Sequence, residues 1–327
     1  MLIGWISRKP LLGLLAVFGS SPLVAQTDPA TNYPSRAVRV IVPYAPGGVS
    51  DITVRLVVNK ASTDVGQQFI VDNRPGGSST IGINAVARAP KDGYTIGSVD
   101  TAFLITPSLM KVPYDPVADF SPITMLTTTV FLLVVHPSLP VKSINELLNI
   151  AKAKPGQLTF SSTGAGNNVH LAIEQLKMLT GMTAIHVPYK GGAPSVNALL
   201  SGEVAFTLAS RTGMVQNIKA GKARALAVTG VKRLPELPAV QTFAEQGLKF
   251  EVAPFYGMVA PGGTPKEIVA RLNKMLVSAL RAPEMKLRLD DLGLDPIGNS
   301  VEAFAEHVKN EIPRWAKVVK ATGAKID

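Results

Sequence analysis

The sequence predicts an α/β fold of two domains with largely parallel sheets. Three observations carry that expectation. Short apolar, β-branched runs alternate with helical patterns from Tyr33 onward, as α/β layers require. The 327 residues and their 46% hydrophobic share suffice for roughly two packed domains of about 150 residues each. No low-complexity segment, short tandem repeat or flexible linker divides the chain, so it is expected to cross between domains more than once through extended segments. The runs near 127–131 and 250–255 are the candidate crossings. They assign 33–128 plus 252–327 to one domain and 129–251 to the other.

The N-terminus reads as a secretory signal over residues 1–25. Arg8 and Lys9 form its positive region, Leu11 to Phe18 its apolar one, and Pro22-Leu23-Val24-Ala25 offers a cleavage site after Ala25. The apolar run is shorter than the roughly 20 residues that span a bilayer. The expected destination is therefore the periplasm, as a soluble chain. With no cysteine in the sequence, disulfides, thiolate metal sites, cysteine nucleophiles and a lipid anchor are excluded.

Strands are expected at 38–42, 68–72, 94–98, 130–136, 158–161, 184–188, 204–208, 224–228 and 256–260, with helices between most of them. Ser143-Ile144-Asn145-Glu146 is a capping box, as is Thr264-Pro265-Lys266-Glu267, with proline at the first helical position. The latter opens a helix whose Ile268, Leu272, Met275, Leu276 and Ala279 share one apolar face. Asn299 or Ser300 caps the last long helix, which Pro313 is expected to kink or split before Trp315.

Two strand-to-helix turns stand out. Val40-Ile41-Val42 stops at Pro43-Tyr44-Ala45-Pro46-Gly47-Gly48 and resumes as a helical pattern through Ile52, Leu56, Val57 and Ala61. Thr159-Phe160-Ser161 runs likewise into Ser162-Thr163-Gly164-Ala165-Gly166-Asn167. Glycines let a backbone curl its N–H groups inward, and a helix start carries about half a positive charge. Two such loops facing one another make an anion clamp suited to a small carboxylate or phosphate. The plain alternative is that the glycines serve only the turn.

Other residues admit two readings each. Asp51 would repel an anion but suits the ordering of the first loop through helix N–H groups. His170, in the first turn of the second helix, fits a solvated or structural role better than a ligand or general base. Lys190, before Gly191-Gly192, either attracts an anion or lays its stem over packed surface. Arg74 could bind a carboxylate bidentately or brace a turn. Asp100-Thr101 follows a strand and is a further candidate for the cleft wall. The four histidines are scattered, and neither a G-x-S-x-G elbow, an H-E-x-x-H motif nor a P-loop is present. No metal and no cofactor is implied. The formal charge of +10 comes without a dense basic run, which gives a mild attraction for anions and no nucleic-acid partner.

The order of motifs resembles the Bug-type extracytoplasmic solute receptors, the binding proteins of tripartite tricarboxylate transporters. The likeness runs through Tyr33-Pro34, Pro43-Tyr44-Ala45-Pro46-Gly47-Gly48 with Asp51, Asn73-Arg74-Pro75-Gly76, Asp92-Gly93-Tyr94-Thr95 and Pro113-Tyr114-Asp115-Pro116. It continues through Gly164, Gly166, His170-Leu171-Ala172, Val187-Pro188-Tyr189-Lys190-Gly191 and Arg314-Trp315. What the resemblance implies is a two-domain periplasmic-binding-protein fold that closes on a small organic acid and delivers it, as a monomer, to integral-membrane permease subunits. By the same resemblance Tyr44 to Gly48 and Ser162 to Asn167 grip the ligand carboxylate through main-chain N–H groups and water. The chain departs from the pattern at Asn167, Asn168 and Ala209, and the last of these removes a carboxylate from the end of its strand. The competing expectations are a hydrolase or isomerase acting on a small acid, and a scaffold or adhesin using its surface.

Overall fold

The computed structural model describes residues 32–189 and 192–323, with residues 1, 2 and 4. The body of the expected signal and its cut site, and Lys190 and Gly191, lie outside the described residues. The strand β1 (Val38–Val42) leads into α1 (Val49–Val65), followed by β2 (Phe69–Asn73), α2 (Thr80–Ala87), β3 (Thr95–Asp100), α3 (Thr101–Leu109) and β4 (Phe120–Thr128). The chain then crosses to a second sheet. That part comprises β5 (Phe131–Val135), α4 (Ile144–Ala153), β6 (Thr159–Ser162), α5 (Asn168–Thr180), β7 (Ile185–Pro188), α6 (Gly192–Leu200), β8 (Phe206–Ser210), α7 (Arg211–Lys219) and β9 (Arg224–Val228). It returns through β10 (Phe255–Pro261), α8 (Lys266–Leu280), α9 (Pro283–Asp291), β11 (Asp295–Pro296) and α10 (Val301–Thr322).

The first sheet has the order β11-β4-β10-β3-β1-β2, the second β7-β6-β8-β5-β9. These are one topology used twice. In each, three parallel strands (β2-β1-β3 and β7-β6-β8) are followed by one reversed strand (β10 or β5) and then by a strand restored to the common direction (β4 or β9). Four strands of each sheet therefore point the same way, and the reversed ones lie beside the crossings. This is a two-domain α/β architecture in which β1 and β6, and β3 and β8, hold equivalent places. In open sheets of this kind ligands bind beyond the carboxyl ends of the parallel strands, where the order switches.

Apolar alternation explains the layers. Val38, Val40 and Val42 face one side of the first sheet, packed with Val54, Val57 and Val58 of α1 and Leu272 and Leu276 of α8. Ile41 and Val99 face the other side, with Phe103 of α3 and Phe304 and Trp315 of α10. Leu171 of α5 is fully buried in that second cluster, so a helix of the second sheet packs into the first sheet's helical layer. The two crossings run side by side: Thr129 N–H donates to Pro254 O (2.9 Å) and Thr128 Oγ1 to the same oxygen (3.0 Å).

Several local expectations are revised. The nine-residue β4 was not anticipated, because Pro122 and three threonines break its apolar signal; Pro122 is accommodated beside an irregular register with β10. The two-residue β11 was also missed. Pro313 does not split α10, which runs unbroken from Val301 to Thr322 and is held by five buried side chains. Of the two caps expected for that helix, Ser300 is the one used, accepting from Ala303 N–H (3.2 Å), while Asn299 Oδ1 accepts from Met125 N–H (2.8 Å). Pro265 is itself the N-cap of α8, so the helix starts one residue later than expected.

Candidate functional site

The glycine-rich loops sit at the carboxyl ends of β1 and β6, and both border a cavity of about 600 Å³ between the two sheets. Four helix starts border it: Gly48, Val49 and Ser50 at α1, Asn168 and Val169 at α5, Gly192 and Ala193 at α6, and Ser210 and Gly213 at α7. Phe131, Pro254 and Tyr256 line it from the crossings and β10, and Leu208 and Ala209 from β8. Among the described lining residues Asp100 is the one carboxylate, and there is no lysine or arginine.

The first loop is shaped from behind by Asp51. Its buried carboxylate accepts from Gly47 N–H (2.9 Å), Asn73 Nδ2 (2.8 Å) and Arg55 Nε (3.0 Å). Burial alone would raise its pKa, but the bonds from Arg55, Gly47 and Asn73 outweigh it and hold the carboxyl below the usual 3.8. Asn73 also donates to Tyr44 O (3.0 Å), tying the far end of the loop. Gly47 has φ +85°, a left-handed conformation that glycine adopts without strain.

The second loop is organised by histidines. Asn167 caps α5, its Oδ1 accepting from His170 N–H (3.0 Å), and its Nδ2 donates to Thr163 Oγ1. Gly166 N–H donates to His170 Nδ1 (3.0 Å), which places the proton of the neutral ring on Nε2. The His170 ring stacks on His186 with centroids 3.8 Å apart and planes at 9°. His186 Nε2 shares a 2.7 Å hydrogen bond with Ser162 Oγ, and that hydroxyl also bonds Gly164 O (2.9 Å) and accepts from Gly164 N–H (3.2 Å). Burial lowers both imidazoles; His186, further lowered by His170 and Lys177, falls to about 4.

Of the residues singled out in the sequence, Tyr44, Gly48, Asp100, Thr163, Asn168 and Ala209 stand on the cavity wall. Ala45, Pro46 and Ala165 are exposed on their loops, while Asp51, Ser162, Gly166 and His170 are buried behind them. The amides of Gly47, Gly164 and Gly166 are engaged by Asp51, Ser162 and His170. The first turns of α1 and α5 leave N–H groups without a helical acceptor, and Val49, Ser50, Asn168 and Val169 bring theirs to the wall. Sequence reasoning passed over His186 and Tyr256. The first lies next to Phe160 across parallel strands, and the second lies opposite Asp100 in the β10–β3 register; both neighbours follow only from strand order. Among the described residues, no group of three or more His, Asp or Glu is placed to hold a metal ion.

Two sheets of like topology with helix starts converging on a shared cleft define a two-domain solute-binding protein. Comparison with known proteins gives the family. The profile of the tripartite tricarboxylate transporter family receptor matches residues 53–324, and the chain belongs to that family. It is 33% identical to Protein BugT of Bordetella pertussis over 97% of this chain and 98% of that one. Among solved structures, R. palustris Rpa4515 with adipate aligns with a TM-score of 0.78 at 36% identity, covering 90% of this chain and 99% of the other. MatC from Rhodopseudomonas palustris with bound malate aligns with a TM-score of 0.75 at 31% identity, covering 88% and 100%.

Proposed function

We propose that this chain is a periplasmic receptor that closes on a small organic carboxylate and delivers it to integral-membrane permease subunits. The observation that carries the reading is that helix starts from both sheets, α1 on one side and α5 on the other, face one cavity. A carboxylate there receives N–H groups and partial positive charge from both sides. Adipate and malate in the related structures support the ligand class. The proposed moving bodies are 33–128 plus 252–327 and 129–251, pivoting at the paired crossings. Ligand stabilises the closed form because it meets both helix starts only when they approach. Removal of residues 1–25 on export and action as a monomer belong to the same proposal.

The binding contacts proposed are Tyr44 and the 45–48 loop with Val49 and Ser50 on one wall, and Thr163 with the 164–167 loop, Asn168 and Val169 on the other. Asp51 and His170 hold these loops in shape. Among the described residues a catalytic reading finds an exposed pair away from the cavity, Ser138 with His136, and one beside it, Ser162 with His186. Ser162 is fully buried, engaged by Gly164 and off the cavity wall, and His186 stacks on a second imidazole rather than on an orienting carboxylate. That arrangement supports a binder without turnover.

A thermal-shift screen of mono-, di- and tricarboxylates tests the proposal. A ligand present at about 100 times its dissociation constant adds roughly 2.7 kcal/mol. Stabilisation with the hit recovered unchanged is the expected result. Chemical conversion of the hit, or no response to any carboxylate, overturns it.

A further inference from the structure

The cavity has two poles of opposite character. The helix starts of α1 and α5 form the positive one. The other is Asp100, at the carboxyl end of β3. The matching place in the second half, the end of β8, presents Ala209 and Ser210, so the acid is unilateral. Asp100 is set between two phenols. Tyr256 is its direct partner across the β10–β3 register, and the Tyr44 phenol lies close enough to interact with its carboxylate. Both tyrosines line the cavity, and burial raises both phenols, so they remain neutral hydroxyls. Asp100 Oδ1 accepts from Ala102 N–H (2.9 Å) as the cap of α3. A carboxylate offers about four acceptor sites, and capping alone would be served equally by serine or asparagine.

A half-buried carboxylate without a basic neighbour on the cavity wall repels a second ligand carboxylate and favours a group that donates a hydrogen bond. Phe131, Val169, Val196, Leu208 and Pro254 give the lining an extended apolar stretch, beside polar but uncharged residues such as Thr129, Thr163, Ser195 and Asn197. We propose that Asp100 determines ligand choice: the cavity takes a monocarboxylate with an apolar body whose far end carries a hydroxyl or ammonium donor, and it discriminates against ionised dicarboxylates. The proposal rests on the carboxylate-receptor reading and names the ligand class of that same site. Asp100 accepts from the donor end while the α1 and α5 starts hold the carboxylate. The Tyr44 and Tyr256 rings exclude water around the pair.

Calorimetric titration of the mature chain with two matched series tests this. One comprises butanoate, 4-hydroxybutanoate, 4-aminobutanoate and succinate; the other hexanoate, 6-hydroxyhexanoate, 6-aminohexanoate and adipate. In at least one series a donor-bearing acid is expected to bind ten-fold or more tighter than both the plain acid and the dicarboxylate. The amino arm leading marks an ionic partner and the hydroxyl arm a neutral one; either supports the proposal. Asp100→Asn keeps the helix cap and side-chain size, and is expected to erase that preference while raising dicarboxylate affinity. Asp100→Ser, also a competent cap, replaces it if the asparagine variant folds poorly. Plain acids or dicarboxylates binding as tightly as donor-bearing acids, or an unchanged ranking in both variants, overturns this inference and leaves the receptor intact. A wild-type chain that binds no acid of either series, or of the wider carboxylate screen, overturns the receptor reading itself.

Discussion

Acidification is expected to loosen the second ligand loop before the rest of the fold, through the stacked pair His170 and His186. Folding keeps both rings neutral, since His170 Nδ1 must accept from Gly166 N–H and a proton on each would place two cations 3.8 Å apart beside Lys177. Glu174, 3.8 Å from His170 Nε2, pulls the other way but is itself bonded to Lys177 (2.7 Å). The unfolded chain therefore takes up protons first as pH falls. The stabilisation is complete above about pH 6.5, is lost as pH drops towards 4, and levels off below the folded value of His186. A displacement from 6.5 to about 4 bounds the effect at about 3 kcal/mol. Because His186 is only half-buried, about 2 kcal/mol is expected, or roughly 4–8 °C in Tm.

The assay is urea unfolding at a series of pH values from 7.5 to 4.5, with wild type and His186→Gln side by side. The subtraction matters because other groups titrate too. Burial lowers His307, with the same sign, and raises Asp100 and Asp295, with the opposite sign. The wild type is expected to lose about 2 kcal/mol more than the variant across this range. Parallel curves for the two proteins would refute the claim that the histidine stack stores pH-dependent stability.

Asp51→Ala strands Gly47 N–H, Asn73 and Arg55, and should cost about 3 kcal/mol in urea unfolding while weakening ligand binding. A loss below roughly 1 kcal/mol would mean that the loop holds its shape without the acid. Leu171→Ala opens a fully buried site where α5 meets α3 and α10, with an expected loss of about 2–5 kcal/mol by chemical denaturation. Trp315 borders a cavity of about 320 Å³ together with Val252 and Ala253 of a crossing segment. Its fluorescence should therefore shift on ligand closure, and a silent Trp315 with a ligand that binds by calorimetry would argue against pivoting there.

That last prediction reverses what chain position suggests. Trp315 lies far along the sequence from both glycine-rich loops, which makes it look like a poor reporter, yet α10 carries it back against the crossing. Distance along the chain is a weak guide in a fold whose halves are interleaved. Phe131–Val135 was legible because burial on both faces leaves a continuous apolar run. β4 was not, because a strand held between β10 and β11 can carry Pro122 and threonines once its neighbours supply the packing.

The site shows the same division between what is local and what is not. Gly47, Gly164 and Gly166 announce where the backbone bends, and the bends do border the cleft. Which amides remain open is decided elsewhere: by Asp51 four residues on for Gly47, by His170 for Gly166, and by Ser162 for Gly164, with His186 arriving on a different strand to hold Ser162. Spent amides in the glycine turns push the available N–H groups forward into the first turns of α1 and α5, where the helix charge already lies. The glycines thus act as scaffolding, and the anion clamp belongs to the helix starts. Substitutions at Gly47 or Gly164 would therefore weaken binding by straining φ values of +85° and +144°, and a donor-deleting change at Val49 or Val169 would act on the ligand itself. Amide-to-ester replacement at those two positions separates the roles: a loss of affinity there, with the unfolding midpoint retained, is what helix-start recognition requires.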